Sequence, residues 1–265
     1  MRHFLLERQV LASEAREAFP LQVADAAGLA PGELVAVVDA ARDYFVCEVV
    51  GSDGPEPIVR IAQRHGSGAG AGAGAAGPRV VLAAGVLSDG KSDEVVRAAT
   101  ELGVSGLVPL LCRRSSPSAL AAADEVAARW RDVAADAALH AGLPAPEVAS
   151  PRDIAGACDL FAQAAAVLLC WEEAPGHASL AAAAQRARRR LAQGGDEAFV
   201  AVVVGPEGGF ADDEVEAMLG SNPHASLATL GPTILRAQTA AVLATTLALY
   251  ELGGLGNIAH GEAGA

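Results

Sequence analysis

Short apolar runs separated by turns open the chain: HFLLE, ELVAVVDA, YFVCEVVG and PIVRIAQ, with PGE and SDGPEP between them. Runs of this length and spacing predict strands of a small β-barrel or sandwich over residues 1–65. A core built from roughly 60 residues is marginal on its own, so this domain is expected to lean on its neighbour.

A Gly/Ala/Ser tract, 64–79, then interrupts the pattern. It has nothing with which to pack a core and predicts a flexible linker over 66–78. The tract contains a formal GxGxxG at Gly72, Gly74 and Gly77. A dinucleotide loop of that form needs a strand before it and a helix after it. Here low-complexity sequence precedes and a strand follows, so that reading is rejected.

From residue 79 the period switches back and forth between strand and helix. Strands are predicted at 79–86, 106–112, 165–173, 198–205 and 225–231, and helices at 92–103, 119–142, 179–193, 211–220 and 235–253. Apolar strands alternating with helices predict an α/β domain over 79–253, its parallel sheet covered on both faces. Residues 254–265 read as a frayed tail.

Composition narrows the class. Of 265 residues, 52% are apolar and 19% charged, the balance of a globular chain. No apolar run reaches the ~18 residues that cross a bilayer. The opening MRHFLLERQV lacks a signal-peptide core, which predicts a cytoplasmic protein with no membrane partner. Cys47, Cys112, Cys158 and Cys170 form no CxxC pair and read as core fillers. His3, His65, His140, His224 and His260 show no ligand spacing, so no metal is expected, and His177 in the APGH loop reads as a solvent-facing histidine in preference to a pocket residue. With 19 basic residues against 32 acidic ones the net charge is −13, which argues against an overtly basic nucleic-acid binder but leaves room for a local basic surface.

Chemistry concentrates in two loops. GPEGGF (205–210) follows an apolar strand and precedes an acidic helix start. In open parallel sheets ligands bind at the carboxyl ends of strands, and glycines there let backbone N–H groups approach closely. LGPTILRAQTA (230–240) repeats the strand, Gly-Pro, helix arrangement and places Arg236, Gln238 and Thr239 near a helix start. Two such loops at neighbouring strand ends predict opposite walls of one pocket. Arg186, Arg188, Arg189 and Arg190 could grip phosphates, but in the last turns of a helix they also meet the dipole, and that reading is preferred. Trp130 and Trp171 read as packing residues. The chain has neither GxxxxGK[ST] nor GxSxG, which removes the P-loop and α/β-hydrolase classes.

GPEGGF followed by LGPxxLRxxTA closely resembles the RsmE-type methyltransferases of the SPOUT superfamily. The likeness extends to MRHFLLE, LSDGKSDEVVRAATELGVSGLVPLLCRRS (87–115), the Trp130 helix and LLCWEE. It implies a PUA-like N-terminal RNA-binding barrel, a parallel sheet with a C-terminal trefoil knot, S-adenosylmethionine as methyl donor, and a homodimer. The implied reaction is methylation of N3 of a uridine in 16S ribosomal RNA within the 30S small subunit. Carried over, Gly205, Pro206, Glu207, Gly208 and Gly209 match one cofactor loop, and Leu230, Gly231, Pro232, Ile234, Leu235, Arg236 and Thr239 the other. Trp171, Glu172 and Glu173 match a third wall, with Glu172 expected to bind cofactor. Glu207 would either offset the sulfonium charge or stand solvated at a helix N-terminus. Lys91 and Arg114 are the expected RNA contacts, and Arg236 the expected catalytic residue, lowering the pKa of the uracil imide.

The sequence departs from the family pattern on the RNA side. Ser88, Ala98, Thr233 and Gly28 stand where the family usually has basic residues, Leu139, His140 and Leu143 where it has Glu-Gln-x-x-Arg, and Gln238 where it has a glutamate. Two rival readings therefore stand: a diverged, non-catalytic module of ribosome assembly, or a methyltransferase with another RNA target.

Overall fold

A computed structural model describes residues 2–6, 8–11, 14, 17–23, 26, 28–39, 44–65, 77–88, 90–121, 123–173, 177–195 and 197–255. Most of the expected linker and tail lies outside these. The chain divides into two compact units, one of Met1–Ala76 with Ala135–Ala145 and one of Gly77–Ala134 with Pro146–Ala265.

The first unit holds β1 (Arg2–Leu5), β2 (Phe19–Pro20), β3 (Leu34–Val38), β4 (Tyr44–Asp53) and β5 (Glu56–His65), in the sheet order β1-β3-β4-β5-β2. Only the β1–β3 pair is parallel. Alternate positions such as Val35, Val37, Cys47, Val49 and Val59 point into one core around Phe4, Phe19 and Phe45. Burial alternates with period two along β4 and β5, whereas β3 is buried at four successive positions, Val35–Val38. Gly54 takes a positive φ of 60° in the two-residue β4–β5 loop, where primed hairpin turns need it.

The second unit contains β6 (Arg79–Gly85), α1 (Lys91–Glu101), β7 (Gly106–Leu111), α2 (Pro117–Ala121), α3 (Ala123–Ala141), β8 (Glu147–Val148), β9 (Arg152–Asp153), α4 (Ile154–Phe161), β10 (Ala166–Cys170), α5 (Leu180–Gln193), β11 (Phe199–Val204), α6 (Asp212–Gly220), β12 (Ala225–Ala228) and α7 (Ala237–Leu252); the end of α3 belongs to the first unit. The sheet runs β12-β10-β11-β6-β7-β8, with β9 also on β7, and every pair is parallel. Successive strand residues feed opposite cores. Leu82, Leu168 and Val202 join one with Val96, Trp130, Ala184 and Ala244 from α1, α3, α5 and α7. Ala83, Leu169 and Val203 join the other with Phe161 of α4 and Met218 of α6. Two covered faces explain why these strands read as unbroken apolar runs.

Several boundaries differ from the sequence reading. The strand expected at 225–231 ends at Ala228, because Thr229 pairs with the segment before α5 instead: Leu180 N donates to Thr229 O at 3.0 Å and Thr229 N to Ala178 O at 3.1 Å. The strand expected at 165–173 ends at Cys170. The helix expected at 119–142 is described as Pro117–Ala121 and Ala123–Ala141, with residue 122 outside the described residues. α4, with β8 and β9 before it, was not anticipated; Asp153 caps α4 by accepting from Gly156 N at 2.8 Å.

Candidate functional site

β10, β11 and β12 are adjacent, and their carboxyl ends stop at Cys170, Val204 and Ala228. The three loops that leave them enclose one open cleft with about 850 Å³ of atom-free space. Of the expected cofactor residues, Glu172, Gly205, Pro206, Glu207, Gly209, Leu230, Gly231, Pro232, Ile234 and Leu235 all line it. Gly208, Arg236 and Thr239 do not. The lining also includes Cys170, Trp171, Thr229, Thr233, Ala237 and Ala240, of which the sequence places only Trp171 in a cofactor wall.

The 205–210 loop is a tight turn, with Gly209 N donating to Pro206 O at 2.9 Å. Phe210, fully buried, pins it to the core. Gly209 adopts φ 68°, and a Cβ there would stand 2.2 Å from Glu172 Oε1, so the first and third walls touch. Gly208 faces the other way. Its Cβ would fall 2.6 Å from the carbonyl oxygen of Arg114, so a side chain there would displace the loop after β7 and not meet a ligand directly. Thr229 Oγ1 accepts from Gly231 N at 3.2 Å and shapes the 229–236 wall.

Glu207 is exposed and hydrogen-bonded at the same time. Its Oε1 accepts from Ser88 N (3.2 Å), Ser88 Oγ (2.9 Å) and Lys91 Nζ (3.3 Å), tying the cleft to the β6–α1 loop. Burial alone would raise its pKa, but hydrogen bonds from its own backbone, Ser88 and Lys91 outweigh that and hold it below the ordinary 4.5. A carboxyl depressed by folding stabilises the protein above its unfolded pKa and loses that contribution as pH falls through the folded one. Glu207→Gln is therefore expected to lower the urea midpoint at pH 7 and to match wild type once pH is well below 4.5. A deficit that stays constant across that range would show that the carboxylate's charge is not what holds the loop.

Lys91 and Arg114 both border the 205–210 loop, Lys91 through Glu207 and Arg114 through its backbone at Gly208. Arg113 fixes the same segment to α6, donating N–H to Glu214 Oε1 at 2.8 Å and pairing with Asp213. The Arg114 side chain is exposed and makes no hydrogen bond or ion pair among the described residues. Arg236 is exposed, equally unpaired, and stands between two lining residues, Leu235 and Ala237, at the start of α7. Trp130 is buried in the core, whereas Trp171 lines the cleft with a buried Nε1–H that lacks a partner among the described residues. Burial pushes the thiols of Cys47, Cys112 and Cys170 up to about 12, which suits packing and not nucleophilic attack. Among the described residues no group of His, Cys, Asp and Glu is placed to hold a metal, and no helix is long and apolar enough to cross a membrane.

Residues 76–249 match the model of a family described as the RNA methyltransferase domain. Two curated proteins called ribosomal RNA small subunit methyltransferase E, from Mycobacterium bovis and Mycobacterium tuberculosis, are each 31% identical over 173 residues, 63% of this chain. The aligned part spans 61% of those relatives' length. The crystal structure of a protein of the same description from Neisseria gonorrhoeae, bound to S-adenosyl methionine, superimposes with a TM-score of 0.63 at 17% identity, over 92% of this chain and 95% of that one. A methyltransferase from Legionella pneumophila in complex with the same cofactor gives a TM-score of 0.59 at 19% identity, over 94% of this chain and 98% of that one. The glycine-loop cleft at the carboxyl edge of a parallel sheet, the shared fold and the family match agree, and the chain belongs to the RNA methyltransferase domain family.

Proposed function

We propose that the chain is an S-adenosylmethionine-dependent methyltransferase acting on N3 of a uridine in 16S ribosomal RNA within the small subunit. The cleft formed by the ends of β10, β11 and β12 carries this reading, because its donor set suits that ligand. Backbone N–H and C=O groups of 205–209 and 229–233 would meet the polar edges of adenine and ribose. Leu230, Ile234 and Leu235 offer apolar surface, and the unpartnered Trp171 Nε1–H offers one more donor. Glu172 and Glu207 give the cleft a negative potential that favours a sulfonium. Gly208 braces the loop against Arg114, and Thr239 follows in the first turn of α7. When bound, the cofactor supplies an electrophilic methyl group.

The chain's own task is to align the uracil ring with that group and to favour loss of its N3 proton. Arg236, at the edge of the cleft and unpaired among the described residues, would stabilise the N3 anion. Lys91 and Arg114 would hold RNA phosphates beside the cleft. The same reading makes the first unit a PUA-like barrel and the second a trefoil-knotted domain, in a cytoplasmic homodimer.

The test is methyl transfer to small subunits that lack the modification, read by mass spectrometry of 16S RNA. One methyl on uridine N3, dependent on the cofactor, is the expected result. No transfer would favour the non-catalytic assembly module, and a methyl elsewhere would redirect the substrate. With a net charge of −13 and few basic side chains near the cleft, transfer to assembled 30S particles should exceed transfer to naked 16S RNA. Binding to naked oligonucleotides should show a log–log salt slope of only ~0.7 per contacted phosphate, for one or two phosphates. Steep salt dependence with efficient methylation of naked RNA would contradict this.

A further inference from the structure

A second cavity lies at the other end of the same strands. Ala166, at the start of β10, is part of its wall, whereas Cys170, at the end of β10, lines the glycine-loop cleft. Roughly 13 Å of strand separates the two, at ~3.3 Å per residue. The small side chains of Ala166 and Ala183 leave a space of about 400 Å³, open to solvent. Four residues with polar side chains line it: Arg186 and Arg190 of α5, Ser226 of β12 and His224 just before β12.

Arg186 and Arg190 are four residues apart and therefore share a helix face. Among the described residues, ion pairs engage Arg8, Arg60, Arg79, Lys91, Arg113 and Arg129. Among the described residues, neither the Arg186 nor the Arg190 side chain makes an ion pair or a hydrogen bond, and the His224 ring and the Ser226 hydroxyl also have no partner. The helix dipole accounts for Arg190, in the last turn of α5, but its effect fades within one turn and does not reach Arg186. In a chain of net charge −13, two unpaired guanidiniums facing one cavity are an anion site by their chemistry. Guanidinium forks match phosphate oxygens with paired N–H donors, and a hydroxyl and an imidazole N–H extend the same set.

We propose that this cavity binds a phosphate group, held between Arg186 and Arg190 with His224 and Ser226 as additional donors. The group comes either from an RNA backbone or from a free phosphorylated small molecule. The site is separate from the glycine-loop cleft and does not depend on the activity assigned there.

The test uses the full chain and two double variants that remove the same charge from α5. Arg186→Gln/Arg190→Gln empties the cavity, and Arg188→Gln/Arg189→Gln alters arginines that do not line it. Inorganic phosphate and a single-stranded oligouridylate are titrated separately by calorimetry across a salt series, with S-adenosylmethionine as a control ligand. Loss of even one charge-assisted hydrogen bond predicts at least about tenfold weaker binding in Arg186→Gln/Arg190→Gln. If the occupant is RNA, the oligouridylate weakens and its salt slope falls by ~0.7. If it is a free phosphate, only the inorganic phosphate weakens. Cofactor affinity and melting temperature should stay at wild-type values in both variants. Phosphate and RNA affinities that are unchanged in Arg186→Gln/Arg190→Gln, or lowered equally in Arg188→Gln/Arg189→Gln, would overturn the proposal. A loss confined to cofactor binding would likewise overturn it, since phosphate and RNA affinities would then be unchanged.

Discussion

Replacing Gly85 by valine is expected to abolish binding of S-adenosylmethionine, and alanine alone should weaken it severely. Gly85 ends β6, and a Cβ built there would lie 2.3 Å from Pro206 N, 2.5 Å from Pro206 Cδ and 2.8 Å from the carbonyl carbon of Gly205. Two of those atoms are backbone, in a loop whose next turn is pinned by the buried Phe210, so no side-chain rotation relieves the clash. Overpacking by a methylene or two costs ~1–3 kcal/mol where neighbours can shift, and here the neighbour that must shift is the cleft wall itself. Gly220→Ala is the matched control, since nothing lies within 4 Å of a Cβ at that position. Calorimetry with the cofactor and thermal melts on both variants decide the matter. Wild-type affinity in Gly85→Ala would show that the 205–210 loop tolerates displacement or does not contact the cofactor.

Gly85 was not legible as a site residue, and the reason is physical. In sequence it is the last small residue of an apolar run, and only the register of β6 against β11, with Ala84 opposite Val204, brings it under the Gly205–Pro206 bond. The two glycine loops were legible because each carries its own local chemistry, a Gly-Pro turn directly after an apolar strand. Their convergence also followed from strand order, given that β10, β11 and β12 are neighbours. Short elements were missed for lack of period. β8 and β9 have two residues each, and α4 is apolar nearly all round, so no alternation announces them. The Asp153 cap three residues before Gly156 was the one available signal. Glu207 illustrates another limit. Its partners Ser88 and Lys91 lie 119 and 116 residues away in sequence, and only the fold makes them neighbours.

The largest catalytic effect is expected at Arg236. It caps no backbone group at the start of α7, pairs with no carboxylate among the described residues, and is flanked by lining residues on both sides. A cation held exposed at the rim of a cleft, with Leu235 and Ala237 packed beside it, contributes little to folding. Arg236→Ala should therefore leave the melting temperature close to wild type. If the guanidinium stabilises charge that develops on N3 of the uracil as its proton leaves, removal should lower kcat by about 10²–10³-fold, the range for losing one donor to a developing anion. Arg236 lies outside the lining, so affinity for S-adenosylmethionine should change much less than turnover. Arg236→Lys keeps the charge but loses the planar fork, and should rescue only in part. The measurement is single-turnover methyl transfer to 30S particles beside cofactor calorimetry on the same three proteins. Unchanged turnover in Arg236→Ala would remove the residue from the chemistry. A loss of turnover matched by an equal loss of cofactor affinity would instead place its guanidinium on the cofactor and leave the uracil anion to be stabilised by another group.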